Sequence, residues 1–105
     1  MILYNVTVSI DPTIHEDWLG WMRSVHIPQV METGCFVESR ISRIRSEEPD
    51  EVSFSIMYLC PSQELLDEYQ SIHAPLLQQD HSTRYQGKFA AFRTTLSVIE
   101  EYKKA

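Results

Sequence analysis

Glycine is scarce in this chain: Gly20, Gly34 and Gly87 are the only three among 105 residues, and each stands alone. A phosphate-cradling loop needs several glycines close together, so nucleotide chemistry of that kind is excluded. H-E-x-x-H, C-x-x-C and G-x-S-x-G are also missing, which removes the simplest zinc-peptidase, dithiol and serine-nucleophile readings. Cations are few. Nine Lys and Arg stand against fifteen Asp and Glu, for a formal charge of −6. With no surplus of positive charge to neutralise phosphates, neither nucleic acid nor an anionic membrane is an expected partner. No apolar run approaches the roughly 20 residues that cross a bilayer. Met1-Ile2-Leu3-Tyr4 runs directly into a strand pattern without the basic and apolar regions of a secretory leader, so a cytoplasmic location is expected. There are two cysteines, Cys35 and Cys60, which fall at the outer ends of the two strands of a proposed hairpin. Two buried free thiols suit a cytosolic chain, and a disulfide between them stays open.

What is present is patterned throughout. Ile2, Tyr4, Val6, Val8 and Ile10 alternate with Leu3, Asn5, Thr7 and Ser9, the period of a strand with one core face. Asp11-Pro12-Thr13 makes a turn and a helix cap, and Ile14, Trp18, Trp21, Met22 and Val25 follow at helical spacing. Pro28 removes an amide donor and crowds the carbonyl of Ser24, so the helix is expected to kink near His26, with Ile27 driven from helical dihedrals. Gly34 can close the segment. Cys35 to Arg45 reads as an edge strand carrying Arg40, Arg43 and Arg45. The polar loop Glu47-Glu48-Pro49-Asp50 leads to a second alternation, Val52, Phe54, Ile56, Tyr58 and Cys60. Helix 2 begins at Ser62, shows Leu65, Leu66, Tyr69 and Ile72, is broken by Pro75, and continues through Leu76, Leu77, His81 and Tyr85 to Gly87. A last strand, Phe89 to Val98, places Ala90, Phe92, Thr94, Leu96 and Val98 on one face and Phe89, Ala91, Arg93 and Thr95 on the other.

The order β-α-β-β-α-β with right-handed crossovers predicts an α+β domain over residues 1–105, of the ferredoxin-like kind. Its four-stranded antiparallel sheet has order 4-1-3-2, with two kinked helices on one face. The uncovered face would carry Leu3, Asn5, Thr7, Ser55, Met57, Leu59, Phe89 and Arg93. That is too apolar for a plain solvent surface, and a homodimer pressing two such faces together accounts for it.

One echo joins the halves. Ser24-Val25-His26-Ile27-Pro28 is answered by Ser71-Ile72-His73-Ala74-Pro75, the pattern S-[VI]-H-x-P once per helix. In one account each histidine donates to carbonyls freed by the proline. In the other each kink opens a pocket that the imidazoles line as acid, base or ligand groups. Among His15, His26, His73 and His81 no two fall on adjacent turns of one uninterrupted helix, so no metal site is expected from local spacing and one could arise only through tertiary proximity.

Tyr4-Asn5-Val6-Thr7-Val8, Trp18-Leu19-x-Trp21-Met22, His26-Ile27-Pro28, Thr33-Gly34-Cys35-Phe36, His73-Ala74-Pro75 and Phe92-Arg93-Thr94 together resemble a family of short, uncharacterised bacterial proteins. The resemblance spans nearly the whole chain and implies the dimeric α/β-barrel group, without an assigned reaction. That wider group includes antibiotic-biosynthesis-type monooxygenases and haem-degrading monooxygenases. The haem-degrading members use an Asn on strand 1 and a Trp and a His on helix 2. Asn5 and His81 stand at comparable places, while Tyr69 fills the Trp position, which argues against haem.

Three functions follow as expectations. The first is a homodimeric small-molecule-binding or sensing domain, with an apolar or aromatic ligand among Trp21, His26, Tyr58, Tyr69 and His73. The second is a cofactor-independent monooxygenase or isomerase, with His73 or His81 as base and Asn5 or Arg93 stabilising a developing enolate. The third is a ligand-free dimeric interaction protein. Arg93, on the uncovered face, would either clamp a carboxylate or anchor the dimer. No cofactor is expected in any of them.

Overall fold

The alternating segment at the start of the chain forms the centre of the sheet. In the computed structural model, which describes residues 1–105, β1 (Ile2–Ile10) pairs antiparallel with β3 (Ser53–Cys60) on one side and β4 (Phe89–Ser97) on the other. β2 (Glu38–Arg43) closes the far side of β3, giving the order β2-β3-β1-β4. This is the expected 4-1-3-2 arrangement read from its other edge, a ferredoxin-like α+β fold.

The β1–β3 register sets Tyr4 opposite Tyr58, Val6 opposite Ile56 and Val8 opposite Phe54. These pairs lie under the helices, where Tyr4, Val8, Phe54, Ile56 and Tyr58 are buried with Trp18, Met22, Val30, Phe36, Leu66 and Tyr69. β2 is shorter than the expected strand. Cys35 precedes it, in the turn set by Gly34 at φ +77, and both cysteines are buried free thiols.

The two helical segments depart from expectation in the same way. α1 (His15–Trp21) and α2 (Ile27–Glu32) are joined by a π-helical turn, Met22–His26, and α3 (Gln63–Glu68) and α4 (Ala74–Arg84) by another, Tyr69–His73. Met22 corresponds to Tyr69, His26 to His73 and Pro28 to Pro75, so the S-[VI]-H-x-P echo is the sequence trace of a repeated wide turn. Neither proline breaks its helix. Ile27 keeps φ −62 and ψ −44, and Ala74 keeps φ −59 and ψ −41. The amide of Ile27 donates to the carbonyl of Met22 and that of Ala74 to Tyr69, five residues back. Such i to i+5 bonding widens the helix where a proline ring would otherwise meet the carbonyl four residues before it.

Two consequences follow from the extra residue in each wide turn. It shifts the helical phase, so Val25 and Ile72, expected in the core stripes, are 36% and 67% exposed. The carbonyls near each turn are also met by serine rather than histidine. Ser24 Oγ donates to the Gly20 carbonyl at 2.6 Å and Ser71 Oγ to that of Asp67 at 2.8 Å.

β4 is the second correction. Val6 pairs with Arg93, Val8 with Ala91 and Ile10 with Phe89, so these β4 residues share the helix-covered face. Ala90, Phe92, Thr94 and Leu96 occupy the open face instead, together with Leu3, Asn5, Thr7, Met57 and Leu59. Apolar residues sit on both parities of this strand, so alternation alone carried no phase. The Asp11 amide bonded to the Lys88 carbonyl at 2.8 Å fixes it. No helix is long and apolar enough to cross a membrane.

Candidate ligand pocket

Between helices and sheet lies a cavity of about 40 Å³. Its floor comes from β1, β3 and β4 through Tyr4, Val6, Ile56, Tyr58, Phe89 and Arg93, and its roof from both helical units through Met22, His26, Tyr69, Gln78, His81 and Ser82. Each π turn contributes to that roof: Met22 and His26 from the first, Tyr69 from the second.

The polar groups divide into a histidine set and a set around Arg93. Buried at 8% exposure is His81, whose Nε2 accepts a hydrogen bond from Trp18 Nε1 at 2.9 Å. Because the indole is donor only, this bond assigns the His81 proton to Nδ1. His26 lies 5.7 Å from His81 between ring centroids and stacks on Trp21 at 5.2 Å. Its Nδ1 is buried without a partner. Burial lowers both imidazoles to about 4; for His81 the neighbouring His26 and Arg93 add to the effect, and for His26 Asp80 opposes it. At neutral pH both rings are uncharged.

The second set joins Arg93, exposed on edge strand β4, to three buried tyrosines. Burial raises the Tyr4 hydroxyl, against the pull of Arg93 and of hydrogen bonding to Arg93 and Gln78. Tyr58 and Tyr69 are also raised by burial and by neighbouring phenols, so all three phenols stay protonated. The cavity lining thus contains one fixed cation and no carboxylate, within a chain of charge −6.

Four of the residues singled out from the sequence, His26, Tyr58, Tyr69 and His81, meet here, and Arg93 joins them from the face opposite to the one expected. Asn5 does not. It lies on the other side of the sheet, where its Oδ1 accepts from Ser55 Oγ at 2.7 Å and its Nδ2 donates to Thr7 Oγ1 at 3.3 Å. An Asn5–His81 pair of the haem-degrading type is therefore not assembled, since successive strand residues point to opposite faces. Trp21 lies behind His26 rather than in the lining, flanked by Tyr85 and by the Arg84 guanidinium. His73 is outside the cavity, with its Nε2 3.9 Å from Glu68 Oε2.

The family model for the domain of unknown function DUF4286 matches residues 1–99. This chain belongs to the DUF4286 family. Among solved structures, this DUF4286 chain is similar to a dimeric ferredoxin-like protein from an uncultured marine organism. The two are 14% identical, with a TM-score of 0.74 over 99% of this chain and 100% of the other. It is also similar to a Bacillus cereus protein named for the antibiotic biosynthesis monooxygenases, at 8% identity, TM-score 0.71 and coverage of 98% and 97%. A third similar structure is a single-site mutant of SnoaB, a cofactor-independent oxygenase from Streptomyces nogalater: 10% identity, TM-score 0.69, coverage 98% and 97%. At these identities the likeness is one of fold. No curated protein matches the DUF4286 chain in sequence.

Gln78 and Ser82 were missed in the sequence. Both lie on α4 beyond the second π turn, where they share a helix face with His81. Counting forward from Pro75, where the helix resumes its ordinary period, would have placed Gln78 on that face.

Proposed function

We propose that this domain binds a small anionic ligand with a planar apolar body, its charged end at Arg93 and its body directed toward His26 and His81. What supports the reading is the lining itself: one guanidinium, three protonated phenols, two neutral imidazoles and no carboxylate, in a protein whose overall charge is negative. A neutral imidazole with an unpartnered buried nitrogen offers a hydrogen-bond position to a ligand without a competing charge. The volume limits the size. Forty cubic ångströms holds a few waters, against the ~150 Å³ of a dry cavity that takes up benzene. An aromatic ring therefore enters only partly, or with movement of edge strand β4.

A cofactor-independent oxygenase is the second reading. It draws on the names of the Bacillus cereus and Streptomyces nogalater structures and on the histidine pair. The protonation equilibria weigh against it, because a general base works best with a pKa near the operating pH, and these imidazoles sit near 4.

We also infer a homodimer formed through the open sheet face, where Leu3, Met57, Leu59, Phe92 and Leu96 leave an apolar patch without a cover. Titrating benzoate, salicylate and uncharged benzyl alcohol while following the melting temperature tests the ligand. The acids are expected to raise it with concentration, by the mass-action stabilisation of about 2.7 kcal/mol at 100 times Kd, and Arg93→Ala to remove the rise. Equal effects of the alcohol and the acids would remove the anionic requirement and leave an uncharged aromatic ligand, and no effect of any would leave the ligand-free dimer as the function.

A further inference from the structure

We propose that Cys35, Glu68 and His73 form a three-ligand binding site for a divalent cation of the zinc type, outside the cavity lining, where the buried Cys35 thiol meets two partly exposed side chains. Their Sγ, carboxylate oxygen and imidazole nitrogen all lie within 4.8 Å of one another. Cys35 Sγ is 3.3 Å from Glu68 Oε2, and His73 Nε2 is 3.9 Å from that oxygen. Zinc bonded to S, N and O at its usual lengths and tetrahedral angles sets its donors about 3.4–3.6 Å apart. The group is within a few tenths of an ångström of that spacing along two edges. Side-chain rotation of Glu68 and His73, which are 47% and 31% exposed, supplies the remainder.

The donor chemistry selects the ion. Thiolate and imidazole favour zinc and its first-row neighbours, whereas magnesium and calcium take oxygen donors. Three protein ligands leave a fourth position, and the exposure of Glu68 and His73 directs it to solvent, where water or a small ligand completes the sphere. Binding exchanges the Cys35 thiol proton for the cation and releases that proton to solvent.

Two backbone devices assemble the group. Gly34 at φ +77 turns the chain after α2, and Thr33 Oγ1 accepts from the Cys35 amide at 3.3 Å, holding the thiol below α3. Glu68 and His73 are five residues apart. In an unbroken α-helix that separation points side chains to different faces, but across a π turn residues i and i+5 stack. The corresponding pair in the first half, Trp21 and His26, stacks ring on ring in the same way. One wide turn thus serves an aromatic contact in one half and brings together two metal-ligand types in the other.

The test is titration of the untagged full chain with cobalt(II) as the spectroscopic probe and zinc(II) by calorimetry. One equivalent per chain is expected, with a thiolate-to-cobalt charge-transfer band that disappears in Cys35→Ser and is unchanged in Cys60→Ser. Glu68→Gln and His73→Ala, at partly exposed positions where folding tolerates change, are each expected to weaken zinc binding at least tenfold. Absence of the band in the unaltered chain, its persistence in Cys35→Ser, or unchanged zinc affinity in both surface variants would overturn the site.

Discussion

At the level of single residues, His26 and His81 give the pocket its most distinctive electrostatic property. Both are held neutral by burial, at about 4 in the folded chain against 6.5 for a free imidazole. Well above pH 6.5 folded and unfolded chains bind the same number of protons at these positions, and stability is unaffected. As pH falls from 6.5 towards 4 the unfolded chain takes up protons that the folded chain refuses, so stability is lost, by about 1–2 kcal/mol per ring once solvent screening of these incompletely buried groups is allowed for. Thermal unfolding between pH 7 and 4 is expected to show a falling melting temperature, and His26→Phe, which keeps a ring on Trp21, to flatten that fall. An unchanged slope in the variant would mean that His26 is charged in the folded state. Trp18→Phe carries a different cost, since it leaves His81 Nε2 buried without its donor; about 1–3 kcal/mol of destabilisation is expected in urea. Residue types made these positions candidates in the sequence, but partners did not follow from them. Histidine two residues before proline suggested donation to backbone, whereas the donors are Ser24 and Ser71. Asn5 drew attention by its place on strand 1, and only the pleat excludes it from the pocket.

The paired π turns belong to the scale of elements. Helix starts, glycine stops and the central strands follow from local rules, and Ser62 caps the Leu65 amide as its position predicts. The wide turns do not follow from those rules, because a proline within a helical pattern reads locally as a break. What marks them is the repeat of S-[VI]-H-x-P at matching places in two halves of one fold, together with Val25 and Ile72, which fit a strict 3.6 period and yet face solvent. If the turn exists to accommodate Pro75, then deleting the exposed Ile72 should heal it to an α-turn and force the proline into a regular helix, at a cost of about 3 kcal/mol. The same deletion combined with Pro75→Ala should recover most of that loss. Chemical denaturation of the four chains of this cycle measures the coupling, and purely additive effects would separate the turn from the proline.

The scale of the whole molecule adds the sheet's two faces. One is covered by both helical units and encloses the pocket; the other presents Leu3, Met57 and Leu59 half-buried and Phe92 and Leu96 at 63% and 48% exposure. The sequence indicated that the second face is apolar, though it named Phe89 and Arg93 where β4 in fact supplies Phe92 and Leu96. That exchange strengthens the case for a cover, since Arg93 belongs to the pocket and the open face loses a charge. Burying such a patch contributes roughly 25 cal/mol per Å² of apolar surface, and a symmetric pair places it against itself with no new chemistry. Light scattering at micromolar concentration is therefore expected to give twice the 12.3 kDa of one chain. Phe92→Asp sets two like charges into the contact and is expected to shift the mass to that of one chain, with the melting temperature lowered only by the association lost, because Phe92 lies outside the core. Arg93→Ala, one residue along and on the opposite face, should leave the mass unchanged and remove acid binding. A monomeric mass for the unaltered chain would overturn the dimer, and loss of dimer in Arg93→Ala would show that β4 does not separate the two functions by face.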